Sequence, residues 1–259
     1  MSLESTGGLQ AGRFEYDSGG RLKNAPFVNE LFQGGEMLEW LMSPVDQMAF
    51  LYLLERQRPR VAIEIGSRFG GSLQILSRYC EKIYSLDIDP EVPKRLAGKF
   101  PNVEYITGSS PETLPPLLRS LQECGAEVGF ILVDGDHSAE GVRKDIECIL
   151  AYTPVVPLCI VMHDSFNPEC REGLRAANWE ANPHVQFVEL DFTAGQVSTQ
   201  PESPDQRWGG LALAMMTPEK RTGPLRITGR ADRTIYYLER SILAFKRGNR
   251  KRALREWLK

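Results

Sequence analysis

From Val61 onward, short apolar runs alternate with stretches whose apolar residues recur at helical spacing. The runs are Val61–Ile65, Lys82–Leu86, Val103–Thr107, Val128–Val133 and Leu158–Met162. Val128–Val133 has no polar interruption, as a strand covered on both faces requires. The stretch from Ala139 to Tyr152 carries Val142, Ile146, Ile149 and Leu150 on one face, which predicts an amphipathic crossover helix. Further helices are expected from Gly71, Glu91 and Glu112, and an earlier one from Val45 to about Arg56, led by Pro44. After Asp164 the pattern predicts a helix from Arg171 to Trp179, a strand Val185–Leu190, a polar loop Thr193–Trp208 and a last strand Gly210–Met216, a final pair compatible with an antiparallel edge. Strand alternating with helix means an α/β fold: a doubly wound, mostly parallel, seven-stranded sheet with helices on both faces. Residues 1–30 read as loosely structured around Gly7-Gly8 and Gly19-Gly20, and helical periodicity starts near Glu36. The expected organisation is a flexible segment or lid over 1–35, a main domain over 36–217 and a helical C-terminal extension over 218–259.

Composition narrows the class. With 42% hydrophobic and 25% charged residues in 259, the chain can bury one sizeable core. The N-terminus lacks the basic start and apolar block of a signal peptide and no run is long enough to span a bilayer, so a cytoplasmic protein is expected. Five cysteines with no Cys-x-x-Cys pair argue against a disulfide framework and against a zinc site. The net charge of −3 divides into +9 over 218–259 and −12 over the rest. A basic amphipathic tail of this kind either docks on its own body or touches an anionic surface; a nucleic-acid partner is not expected.

Candidate chemistry lies at the ends of the strands, where doubly wound sheets bind ligands. The first strand runs into Glu64-Ile65-Gly66-Ser67-Arg68-Phe69-Gly70-Gly71-Ser72, a glycine turn opening a helix. Arg68 occupies the position of a middle glycine and Glu64 sits at the mouth of the turn, which disfavours a diphosphate and suits a ligand with an ammonium group and no phosphate. Asp87, 21 residues after Gly66, ends the second strand, where an acid can take both hydroxyls of a ribose. The third strand ends in Gly108-Ser109-Ser110, small enough to border a flat base, although a turn and a cap explain these residues equally well. The fourth ends in Asp134-Gly135-Asp136-His137 and the fifth in His163-Asp164. A right-handed crossover sets these strands side by side, so Asp134 and Asp164 should face each other across roughly 5 Å. Their repulsion calls for a shared proton or a bound cation, and the cation is favoured. The bland reading makes Asp136, His137 and Ser138 a turn and helix cap. His184 has no identifiable partner and is expected on the surface.

An adenosine joined to an amino acid meets these demands. Glu-x-Gly-x-x-x-Gly-Gly-Ser, the acid ending the second strand, and Asp-Gly-Asp-His with a later His-Asp together resemble the class I S-adenosylmethionine-dependent methyltransferases. Within that fold the chain is most similar to the metal-dependent sugar O-methyltransferase and cephalosporin hydroxylase-like family, over roughly residues 45–190. The resemblance implies S-adenosylmethionine at Glu64, Gly66, Ser67, Gly70, Ser72, Asp87, Ser109 and Asp134. It implies a divalent cation, usually magnesium, held by Asp134 and by an acidic pair whose second member is Asp164. The first member of that pair is His163 here, which leaves this residue open between ligand and supporting role. It further implies His137 as general base beside Asp134. The expected activity is a cation-dependent O-methyltransferase for a hydroxyl of a sugar, glycan or polyhydroxylated natural product, in a chain expected to be a homo-oligomer. The rivals are a catechol or phenol O-methyltransferase and a non-catalytic cofactor-binding partner in a biosynthetic complex.

Overall fold

A computed structural model describes residues 38–198, 206–232, 235–237, 240 and 248. The expected N-terminal segment, its boundary near residue 35 and most of the basic tail lie outside these residues. Helix α1, Pro44–Gln57, starts where Ser43 accepts a hydrogen bond from the Asp46 amide with proline in the first turn, and ends at Arg58 in a left-handed conformation. Then follow β1 (Val61–Ile65), α2 (Gly71–Tyr79), β2 (Lys82–Asp87), the short α3 (Val92–Arg95), β3 (Val103–Thr107), α4 (Ser110–Glu123), β4 (Val128–Val133), α5 (Ala139–Ile149) and β5 (Leu158–His163). After α6 (Pro168–Ala176) come a single 3-10 turn, Trp179–Ala181, and strands β6 (Val185–Glu189), β7 (Gln196–Val197), β8 (Arg207–Trp208), β9 (Leu211–Met216) and β10 (Arg226–Thr228).

Eight of these strands form one sheet in the order β3-β2-β1-β4-β5-β9-β6-β10. All run parallel except β9, which is antiparallel to both β5 and β6. The doubly wound arrangement is as expected, with two corrections. The sheet has eight strands, not seven, because Arg226–Thr228 in the C-terminal stretch adds a strand beside β6. The antiparallel strand is interior, not at the edge: five of the six residues of β9 are buried, and such an apolar run needs cover on both faces. Helix α6 begins three residues before the expected Arg171, since the Asn167 side chain accepts from the Glu169 and Cys170 amides and Pro168 fills the first helical position.

The core is centred on β4 and β5, every residue of which is buried. Burial of each large apolar side chain there contributes roughly 1.5–3 kcal/mol. His184 is buried, not on the surface, with Nδ1 3.0 Å from the Thr217 carbonyl. The described part of the tail rests on the body: the Asp232 carboxylate accepts from Arg171 and Arg175, and Ile235 is buried. All five cysteines are free, three of them buried. Among the described residues no helix is long and apolar enough to cross a membrane. The register of β4 on β5, Val133 opposite Met162, brings the polar ends of both strands to one edge of the sheet.

Candidate active site

That edge borders a cavity of about 490 Å³. Its walls are the glycine turn, the segment Glu39–Ser43, the tips of β4 and β5, and Gln196, Ser198 and Trp208 from the β7–β8 hairpin. The hairpin lies inside the stretch expected to be a polar loop, and Trp208 stands edge-on to the His137 ring at 5.7 Å between centroids.

The glycine turn is built from the inside. Gly66 has φ +87°, and a Cβ there would lie 2.1 Å from the Asp134 carbonyl oxygen, so only glycine lets β1 and β4 approach this closely. Glu64 is not at the mouth of the turn but beneath it, fully buried, with one oxygen accepting from Ser67 Oγ at 2.6 Å and the other from Ser72 Oγ. Burial, reinforced by Asp134 and Asp87, pushes its carboxyl up to about 7 despite the two hydroxyl donors. Asp87 accepts from the Ser67 and Arg68 amides, each at 2.9 Å, and from the Asp89 amide at 2.9 Å. It therefore fixes the backbone of the turn and remains partly exposed. Gly66, Ser67, Ser72 and Asp134 line the cavity; Glu64, Gly70, Asp87 and Ser109 do not. Gly70, with φ +81°, caps α2, and Ser109 caps α4 without using its hydroxyl.

At the tips of β4 and β5 side chains crowd together. Asp164 adopts a left-handed conformation, φ +56°, which aspartate tolerates better than most residues, and its Oδ1 accepts from the Gly209 amide. His137 Nε2 lies 3.5 Å from Asp134 Oδ1 and 3.2 Å from Asp164 Oδ2. Ligand atoms of Asp134, His137 and Asp164 all fall within 4.8 Å of one another. Among the described residues His137 Nε2 is a buried nitrogen for which no hydrogen bond of good geometry is made. The expected set was Asp134, His163 and Asp164; the cluster contains His137 where His163 was expected. His163 also lines the cavity, with Nδ1 3.1 Å from Asp134 Oδ1 and 3.4 Å from Asp164 Oδ2. The bland expectation for the turn holds as well: Asp136 accepts from the Ser138 amide and Ser138 caps α5, leaving His137 free to face the cavity.

Charges here are mutually dependent. The carboxylates of Asp134 and Asp164 beside it raise His137 to about 9. Burial alone would lower His163, but Asp134, Asp46 and Asp164 hold it well above its ordinary value. Burial alone would raise Asp134, and the two histidines outweigh it and keep the carboxyl below its usual range. Asp46, on α1 and fully buried, was not singled out from the sequence; its oxygens accept from Ser43, Thr193 and the Gly210 amide, and Oδ2 lies 3.8 Å from His163 Nε2. The only trace it leaves in the sequence is a helix-start pattern, Ser43-x-x-Asp46, which does not reveal burial. Asn167 and Arg171 are occupied with capping α6 and with ion pairs to Asp191 and Asp232.

Residues 63–165 match the family described as methyltransferase domain. A comparison with curated proteins gives no match. Among solved structures the chain is similar to a cofactor-bound protein from MTB, at 19% identity over 75% of this chain and 95% of that one, with a TM-score of 0.52. An O-methyltransferase from Bacillus cereus in complex with SAH matches at 17% identity over 74% and 96%, with a TM-score of 0.52. The O-methyltransferase TomG from Streptomyces achromogenes, involved in tomaymycin synthesis and solved with SAM, matches at 18% identity over 69% and 82%, with a TM-score of 0.50. At these identities the likeness is one of fold. The matched segment runs from β1 to the tip of β5, and the strand order around it is that of the Rossmann-like methyltransferase fold.

Proposed function

We propose that the chain is an S-adenosylmethionine-dependent, divalent-cation-dependent O-methyltransferase. The observation that carries this reading is the convergence of His137 Nε2 with the carboxylates of Asp134 and Asp164 beside the glycine turn. Two carboxylates and an imidazole suit magnesium or manganese, and the imidazole shifts the preference toward manganese. A divalent cation supplies Lewis-acid chemistry, making a hydroxyl that binds it a stronger acid, and S-adenosylmethionine supplies the methyl group.

The remaining work falls to this chain's own residues. Gly66 and the Ser67 backbone admit a ligand close to β1, and Asp87 fixes the amides of the turn from behind. Glu64 acts on the ligand through Ser67 and Ser72, whose hydroxyls it holds, and not by contact. Asp134, on the cavity wall, stands between the two halves of the site. His137 is assigned as a ligand, not as the base: its two carboxylates keep a proton on it up to about pH 9 unless an ion displaces that proton. Trp208 covers the imidazole and restricts water on that side.

The acceptor is a hydroxyl of a sugar or another polyhydroxylated compound. A catechol or phenol is the second reading, and one observation favours it: Trp40, Phe69 and Trp208 all line the cavity. Transfer of labelled methyl from S-adenosylmethionine to panels of both acceptor classes, with Mn²⁺ and with excess EDTA, tests the proposal. Label should enter one class and stop with EDTA; undiminished transfer in EDTA contradicts the role of the ion.

A further inference from the structure

Asp46 belongs to α1, which precedes the strand-helix units, yet it reaches the ion site. In a capping box the residue three positions after an N-cap serine reaches back to the cap's own amide. Asp46 is instead fully buried: Thr193 Oγ1 donates to Oδ1 at 2.5 Å, while Ser43 Oγ at 2.7 Å and the Gly210 amide at 3.2 Å donate to Oδ2. None of these donors carries a charge to balance the carboxylate. Among the described residues the ring facing it is His163, whose Nε2 stands 3.8 Å from Oδ2 and is buried without a hydrogen-bond partner. The other nitrogen of that ring, Nδ1, lies 3.1 Å from Asp134 Oδ1. The imidazole is thus bracketed by a carboxylate from α1 and one from the tip of β4, so turning the ring moves a nitrogen away from one of them. The neighbouring glycines of a single turn fasten both acids: the Gly209 amide donates to Asp164 and the Gly210 amide to Asp46.

We propose that Asp46 is a positioning residue for the divalent-cation site and acts through His163, holding the imidazole against Asp134 so that this carboxylate keeps its orientation toward His137 and Asp164. The inference rests on the proposed cation site. Residues behind metal ligands commonly change metal affinity by about 10–100-fold when removed. A purely capping role would change helix stability and leave His163 indifferent.

The test is titration of the full chain with Mn²⁺, read by electron paramagnetic resonance, for the wild type, D46N, H163Q and the double variant, with S-adenosylhomocysteine affinity measured in parallel. D46N is expected to weaken Mn²⁺ binding by about tenfold or more, with S-adenosylhomocysteine affinity changed by less than about twofold. In the H163Q background the same substitution should add less than about twofold, because the route is already cut. Unchanged Mn²⁺ affinity in D46N, or a loss that multiplies in full with that of H163Q, overturns the inference while leaving the cation site standing. A wild type that does not bind Mn²⁺ removes both. Should D46N not fold, Asp46→Glu keeps the charge and displaces it by one methylene, and the same loss and the same dependence on His163 are expected of it.

Discussion

At the tip of β1 the two carboxylates of the glycine turn are engaged by the protein itself: Glu64 by Ser67 and Ser72, Asp87 by two amides of the turn and one beyond it. At the tips of β4 and β5 the opposite holds, with two carboxylates and two imidazoles packed together and a nitrogen on each ring left without a hydrogen bond. One half of the site offers a ligand its backbone and its space, and its side chains serve the backbone. The other half offers side chains directly, at the expense of electrostatic balance. A class I methyltransferase fold can keep the first half in place while the second adapts to an acceptor.

The sharpest way to break this comparison is on the backbone side. In Gly66→Ala the new methyl collides with the Asp134 carbonyl at a positive φ, so both halves should be disrupted together. A loss of about 3 kcal/mol or more is expected, equal to roughly 6–12 °C in Tm for a domain of this size, and thermal denaturation checks it.

The next effect belongs to the side-chain half and depends on pH. His137 is raised from 6.5 to about 9, so in the ion-free protein its protonated form stabilises the fold fully below about pH 6.5, and this contribution is lost as pH rises through 9. An ion competes for the same nitrogen. Mn²⁺ affinity should therefore climb by up to about tenfold per pH unit across that window and level off above it, while S-adenosylhomocysteine affinity stays flat. A parallel rise of both by calorimetric titration would erase the distinction between the halves.

Asp87→Ala tests whether an acid in the first half acts through the backbone. Freeing the Ser67 and Arg68 amides should weaken S-adenosylhomocysteine binding by about 2 kcal/mol, or roughly thirtyfold, and leave Mn²⁺ binding unchanged. Glu64→Gln should have the smallest effect. Burial raises Glu64 to about 7, so the wild type loses this contribution to stability as pH rises from about 4.5 through 7, and glutamine keeps hydrogen-bonding capacity without the titration. The variant should melt with the wild type at pH 5 and above it at pH 8.

Much of this was legible in the sequence because periodicity reports burial directly. The strands β1, β3, β4 and β5, the crossover α5 and the meeting of Asp134 with Asp164 all follow from apolar spacing and the handedness of crossovers. What escaped depends on long-range packing. Three residues of β10, Arg226–Thr228, are too few and too polar to stand out, and β9 enters the interior only because β6 offers it a partner. His137 and His163 are each one residue from an aspartate, and no spacing rule says which of them clusters with Asp134 and Asp164. Asp46 lies 117 residues before His163 in the chain, and only tertiary structure brings them together.

The most direct test of the central claim is a Mn²⁺ titration of wild type and His137→Ala, with S-adenosylhomocysteine binding as reference. Loss of Mn²⁺ affinity in the variant by about tenfold or more, with binding of the nucleoside retained, is the predicted result. Equal Mn²⁺ affinity in the two proteins would contradict it.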